Sequence, residues 1–306
     1  NVRAAIRHAI DREKIAEFVY GDYATAAGTY LPSNLPGVNG IDGDEYDFDL
    51  ERARALMADS EFPDGGSFEL VYTSGNPNIE LEAQLIQANL SEIDIDVALA
   101  PVSASEYAES MDGRTAEAAL FNNTAITADP IDFTSFIVLD FGVALGGSWP
   151  IEVLEDVVER IFATEDPAEA EALYDESAAY MATLAAHIPT VNPSYLLAHS
   201  TSLQNLVISA LNEPRLNEAW LCGEDSDDSA APTTTVALAS GLLGIDPGPA
   251  ACAAAAGGSV VVALAEELPT LDATNDGTLG TSSNALYALI YDRFFRTTPD
   301  LGELDP

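Results

Sequence analysis

A chain of 306 residues with 51 Asp and Glu against 11 Lys and Arg carries a formal net charge of −40, which repels phosphate backbones and anionic membrane surfaces and argues against nucleic acid as a partner. Apolar residues make up 47% of the chain, enough for a core in one large domain or two ordinary ones, and no run of about 18 apolar residues is present to cross a bilayer as a helix. The carboxylates are spread along the helices as well as clustered in DGDEYDFD (42–49), the pattern of a solvated surface such as proteins adapted to high salt carry.

The opening, NVRAAIRHAIDREKIAEFVYG, has apolar residues at Val2, Ile6, Ile10, Ile15 and Phe18 with Gly21 behind them, which predicts one helix over 2–20 with a glycine stop. No initiator methionine or signal peptide precedes it, so the start reads as internal to a fold. After a loop rich in Pro, Gly and Asn (28–43), Asp49 is placed to cap a helix with an inner face of Ala53, Leu56 and Met57. SFELVYT (67–73) alternates Phe68, Leu70 and Tyr72 as a half-buried strand does. NIELEAQLIQANLSEI (78–93) returns to helical period through Leu81, Leu85, Ile86 and Leu90, and DIDVALAP (94–101) alternates again. Strand, helix, strand is a βαβ unit, and the fold class it predicts is α/β.

A strand is expected at AEAALFNN (116–123), then an irregular stretch (124–149), then two helices. The first buries Ile151, Leu154, Val158 and Ile161. The second starts at Asp166, with Pro167 in its first turn, Glu169 closing a capping box, and a stripe of Leu173, Tyr180, Met181 and Leu184. IPTVNPSYLLAHS (188–200) reads as a strand whose two prolines place it at an edge or a bulge. GEDSDDSAAPTTT (223–235) has the composition of a solvated linker and marks a domain boundary. Beyond it a strand is expected at SVVVALA (259–265) and a helix at SSNALYALIYDRFFR (282–296).

For catalysis the sequence offers little: it has no GxSxG elbow, HExxH helix or P-loop. His8, His187 and His199 lie within a predicted helix or at strand ends, where structural roles are favoured. The Asp42–Asp49 cluster lacks the register of a calcium loop, so no metal is expected there. Cys222 and Cys252 are too few for a disulfide framework, although they are free to pair in an exported protein. Trp149 and Trp220 are able to stack on a ligand, with packing as the default for each.

The motifs in chain order resemble the extracytoplasmic solute-binding proteins of family 5, the oligopeptide and dipeptide-binding subunits of ABC importers. NVRAAIRHAIDREKI is similar to that family's "VRQALAYAIDRE" helix, YDFDLERARALMADSEF to "YDPEKAKALLAEAG", AEAALFNNTAITADPIDFTSF to the ligand loop "GWxADYPDPxNFL", and HIPTVNPSYLLAHS to "IPLYYP". GGSVVVALAEELPTLDATNDG with SSNALYALIYDRFF resembles the mature N-terminus, "GGTLVVAL…PPTLDP…LIYEGLF". The resemblance implies a type II periplasmic-binding-protein-like lobe, a mixed sheet flanked by helices, with an incomplete second lobe. Its layout would be a C-terminal ligand-binding lobe over 1–205, a return segment at 206–222, a linker at 223–258 and the start of a second copy at 259–306. A fragment of a tandem fusion and a permuted protein both give that order; the absence of the family's middle third favours the fragment.

What the resemblance further implies is uptake of a peptide or other small solute outside the cytoplasm, with ABC permease subunits as partners, no cofactor and no enzymatic activity. Asp129 stands where the family's "ADY" aspartate receives the ligand's α-ammonium, with Ala125-Ile126 in place of Gly-Trp and Pro130 in place of the aromatic. Trp149 is the other candidate ligand contact. The alternative role for Asp129 is to cap a turn before Pro130. LASGLLGIDPGPAAC resembles a lipoprotein signal ending at Cys252, but it has no preceding Lys or Arg, its apolar run is broken by Asp246-Pro247-Gly248-Pro249, and Pro249 stands where a leucine-like residue is usual. Cys252 is thus a lipidation site or a plain linker cysteine. The alternative function is a non-transport interaction or chaperone-like domain that has lost its cleft.

Overall fold

The computed structural model describes residues 1–32, 35, 38, 46–122, 129–135, 152–199, 203–208, 214–215, 219–221, 235–239, 296–297 and 304–305. Trp149, Cys222, Cys252 and the strand expected at 259–265 lie outside the described residues, as does the helix expected at 282–296 except for Arg296. The chain divides into two units, Asn1–Pro193 and Ser194–Pro306.

In the first unit the helix expected over 2–20 is interrupted. Helix α1 (Val2–Ala9) gives way at Ile10 to extended backbone, and α2 (Arg12–Ile15) restarts from Asp11. The cause is Asp11 itself: its carboxylate accepts from the Lys14 N–H at 3.0 Å, and its own N–H donates to Asn89 Oδ1 at 3.0 Å. A short acceptor side chain in mid-helix offers the backbone a cap instead of a continued ladder. The chain then widens into a π turn (Ala16–Tyr20) and stops at Gly21, whose φ of 60° lies in the left-handed region.

Strand β1 (Ala24–Ala26) pairs antiparallel with β5 (Val191–Pro193). Helix α3 (Leu50–Ala58) is capped by Asp49, whose carboxylate accepts from the Arg52 N–H at 2.9 Å, and it buries Ala53 and Met57 as expected. The βαβ unit consists of β2 (Gly66–Thr73), α4 (Pro77–Ser91) and β3 (Ile95–Val102), with β2 and β3 parallel and in register from Gly66↔Ile95 to Thr73↔Val102. A two-residue β4 (Ala118–Ala119) adds in parallel on the other edge, giving the order β3-β2-β4. As the central strand, β2 buries Leu70, Val71 and Tyr72 in succession; it is covered on both faces, not half-buried. At Gly65 a Cβ would lie 1.9 Å from the Asp94 carbonyl oxygen, so the entry to β2 requires glycine.

Helix α4 turns differently from the expected stripe. Ile79, Glu82, Ala83, Ile86 and Leu90 face inward, while Leu81 is 40% exposed. The sequence reading also missed α5 (Ala104–Asp112), which starts from a full capping box between Ser103 and Glu106. The first core joins α1, α3, α4 and the inner face of the sheet through residues such as Ala9, Met57, Tyr72, Ile86 and Val97.

A second core gathers Tyr30, Leu31 and Ile131 against α7 (Glu152–Ala163) and α8 (Pro167–Leu184). The capping box expected at α8 is replaced by a relay: Asp166 caps through Ala168 N–H, its own N–H goes to Thr164 Oγ1, and Glu169 accepts from the Thr164 hydroxyl at 2.6 Å. The strand expected over 188–200 is two: β5 ends at Pro193, which has no N–H to donate, and β6 (Tyr195–His199) begins at 195.

In the second unit β6 pairs antiparallel with β11 (Thr235–Ala239), a strand within the 223–258 linker of the layout that the resemblance implies. Three short antiparallel pairs accompany it: β7 (Leu203–Gln204) with β10 (Trp220–Leu221), β8 (Val207–Ile208) with β9 (Pro214–Arg215), and β12 (Arg296–Thr297) with β13 (Leu304–Asp305).

Glu82 is 1% exposed and accepts from Tyr20 Oη at 3.1 Å and from Thr190 Oγ1 at 2.5 Å, so it joins α4 to the π turn and to the approach to β5. Burial raises its carboxyl above the usual range, against the pull of the two hydrogen bonds. The folded protein therefore holds that proton more tightly than the unfolded chain. The stability so contributed is present below the ordinary carboxylate pKa and is lost as pH rises through the folded-state value. Glu82→Gln escapes this loss, so its Tm relative to wild type is expected to improve as pH rises from about 4. A difference that stays flat as pH rises rejects the assignment.

Exposed pairs such as Arg54–Glu92 at 2.9 Å and Arg160–Glu176 at 3.1 Å neutralise little of the surface. Arg7 and Arg12, two of the eleven Lys and Arg, are buried and unavailable for it. Raising NaCl from about 0.1 M to about 1 M shortens the screening length from about 10 Å to about 3 Å and is expected to raise Tm in a thermal melt. A Tm that falls or stays fixed would show that surface repulsion is not a main cost of folding.

Candidate functional site

Asp129 stands at the head of α6 (Pro130–Thr134), a five-residue helix that begins with proline, which needs no N–H partner in the first turn. Its Oδ1 accepts from the Ile131 N–H at 3.0 Å, closing the turn expected of an aspartate before proline. The same oxygen accepts from Tyr174 Oη at 2.7 Å, a charge-assisted bond from α8, 45 residues along the chain. Asp129 remains exposed, whereas Tyr174 is 5% exposed. The side chain therefore presents negative charge to solvent while donors from two separate elements hold one of its oxygens.

Tyr174 is in turn held from within the second core. Ser177 Oγ donates to the Tyr174 carbonyl at 2.8 Å, and Tyr30 Oη lies 2.9 Å from Ser177 Oγ and 3.1 Å from Thr134 Oγ1. The hydroxyl network thus joins the chain before α3, the end of α6 and the middle of α8. Burial, with the bond to Asp129 and its charge, raises the Tyr174 phenol above its ordinary range. Burial pushes Tyr30 up to about 12, against the hydrogen bonds of Ser177 and Thr134. Both phenols keep their protons at neutral pH, so Tyr174 donates and Asp129 accepts.

His8, fully buried in α1, has Nδ1 2.9 Å from the Asp47 carbonyl, which only accepts; Nδ1 therefore carries the proton and Nε2 accepts from Arg7 Nη2 at 3.3 Å. Burial pulls His187 down to about 4, leaving it uncharged at neutral pH. Among the described residues no group of three or more His, Cys, Asp or Glu is placed to hold a metal, and no helix is long and apolar enough to cross a membrane.

Of the candidate ligand residues, Asp129 alone is described; Trp149 and Cys252 lie outside the described residues. Trp220 is half-buried in β10. The sequence reading missed Tyr174, which follows Leu173 on the buried stripe of α8 and carries no local sign of its distant partner. It also missed Glu82, although its place between Ile79 and Ile86 put it on the apolar face.

An α/β unit of this construction is shared with periplasmic binding proteins of solved structure. Residues 1–143 match the family model described as bacterial extracellular solute-binding proteins, family 5, middle part. The dipeptide-binding protein of Escherichia coli K12 is 25% identical over 207 residues, which is 65% of this chain and 37% of that protein. The heme-binding protein A of Haemophilus influenzae is 28% identical over 138 residues, 44% of this chain and 25% of that one. Among solved structures, the periplasmic binding protein DppA of Helicobacter pylori in complex with the peptide STSA is similar with a TM-score of 0.56 and 25% identity, covering 62% of this chain and 38% of that one. The dipeptide-binding protein of Pseudoalteromonas sp. SM9913 in complex with Met-Leu shares the fold with a TM-score of 0.65 at 21% identity, covering 71% of this chain and 44% of that one. This chain thus spans less than half the length of each of these relatives, all of which are named for binding.

Tyr30→Phe removes the hydroxyl shared by Thr134 and Ser177, leaving buried oxygens to find other partners. It is expected to cost about 1 to 3 kcal/mol of unfolding free energy in urea, with little change in the slope against denaturant. A cost near zero would show that the network does not hold α6 to α8.

Proposed function

We propose that the first unit is the ligand-binding lobe of a two-lobed protein that captures a peptide or similar small solute outside the cytoplasm and delivers it to ABC permease subunits. The reading rests on the family match over residues 1–143, the stretch that contains Asp129, and is supported by the dipeptide-binding relative from Escherichia coli. In it, the exposed and tethered carboxylate of Asp129 receives the ligand's α-ammonium, and closure of the second lobe excludes water from that charge-assisted bond. The turn-capping bond to Ile131 N–H is compatible with this role, since a carboxylate oxygen has two lone pairs and the group has two oxygens.

Calorimetric titration of the two-lobed protein with a dipeptide, in free and N-acetylated forms, tests the reading. Asp129→Asn keeps the shape of the side chain and removes its charge. Loss of a hydrogen bond to a charged group is expected to weaken the free-amine dipeptide about tenfold to a hundredfold, with little change in Tm. Acetylation of the ligand should weaken wild-type binding to a similar extent. Should the substitution leave affinity intact and lower Tm, Asp129 serves the turn alone. Failure of every dipeptide to bind the wild type would favour an interaction or chaperone-like domain.

A further inference from the structure

We infer that Tyr174 is a positioning residue for the ligand carboxylate of Asp129, fixing its orientation through the bond from Tyr174 Oη to Asp129 Oδ1. The inference rests on the ammonium-binding reading of Asp129 and adds to it the residue that makes that group rigid. An aspartate at the head of a five-residue helix is exposed and has two side-chain torsions to settle. The bond from Ile131 N–H comes from its own turn, so it moves with that turn. The 2.7 Å bond from Tyr174 comes from α8, an 18-residue helix packed in the second core, and ties the carboxylate to a second element of that core.

Tyr174 is suited to this task by burial. At 5% exposure its ring is held by packing, so the phenol has little freedom to swing away. Two donors arriving at one oxygen from different elements constrain the plane of the carboxylate as well as its place. A ligand ammonium then meets an acceptor already oriented, and the ordering cost otherwise charged against binding is met during folding.

The test uses the two-lobed protein, a dipeptide with a free α-amine and its N-acetyl derivative, with Asp129→Asn, Tyr174→Phe and the double variant. Tyr174→Phe is expected to weaken the free-amine dipeptide roughly threefold to thirtyfold and to leave the N-acetyl derivative unchanged. The double variant should bind no more weakly than Asp129→Asn alone, because the tether has nothing left to orient. Replacement of Tyr174 by 3-fluorotyrosine keeps the ring and the O–H and should retain wild-type affinity. If Tyr174→Phe folds poorly, a pH titration of Tyr174 carrying a site-specific 13Cζ label reads the same bond, with the Tyr174 midpoint lower in Asp129→Asn than in wild type. Equal weakening of both ligands by Tyr174→Phe, additive losses in the double variant, or an unmoved Tyr174 midpoint overturns the inference and leaves the Asp129 reading standing. An unaltered affinity in Asp129→Asn overturns both.

Discussion

The guanidinium of Arg12 is the point on which the first unit closes. It is 3% exposed in a chain of net charge −40, yet none of its hydrogen bonds given by the structure goes to a carboxylate. Nε donates to the Pro189 carbonyl at 2.8 Å, Nη2 to the Arg7 carbonyl at 2.8 Å and Nη1 to the Tyr46 carbonyl, with Cζ 5.0 Å from the Tyr46 ring centroid. Burial pulls its pKa down to about 10, while Tyr46, Asp47 and Asp11 work in the opposite sense, so the group is still a cation at neutral pH. A planar fork of donors meets three carbonyls where an ammonium would meet them less well, and a buried cation left without partners would be strongly destabilising.

Arg7 repeats the device one turn earlier. Its guanidinium donates to the carbonyl of Ala182 in the last turn of α8, where a helix has unpaired carbonyls and the negative end of its dipole. The two arginines thus bind the first helix to the turn before α3, to the end of α8 and to the approach to β5. The same α8 that is anchored at Ala182 carries Tyr174 and Ser177 on its buried side. The route from the scaffold to the candidate site is therefore continuous: α1 holds the end of α8, α8 holds Tyr174, and Tyr174 holds Asp129.

Signals confined to a few neighbouring residues were legible. Asp49 and Asp166 were read as caps and cap their helices, the periods of 67–73 and 94–101 gave two strands, and Leu154, Val158 and Ile161 face inward in α7. Misreadings came where a local rule competed with another. Asp11 broke a helix that its apolar spacing would have continued, Pro193 divided a strand, and Glu82 occupied a place in an apolar stripe that hydropathy assigns to Leu81. Ser103 and Glu106 carried an overlooked capping signal for α5 in plain view.

By itself the sequence determined the α/β class, the alternation of helix and strand, and the family motifs that bring Asp129 to notice, because each of these is written within one or two turns of chain. Only the tertiary structure decided where the polar groups find their partners. The Tyr30 hydroxyl meets Thr134 104 residues away, Tyr174 meets Asp129 across 45, and Arg12 reaches Pro189 across 177. A hydrogen-bond donor leaves no periodic trace of so distant an acceptor. Its partner is chosen when burial removes water and each polar group must be satisfied by whatever packing has brought within about 3 Å.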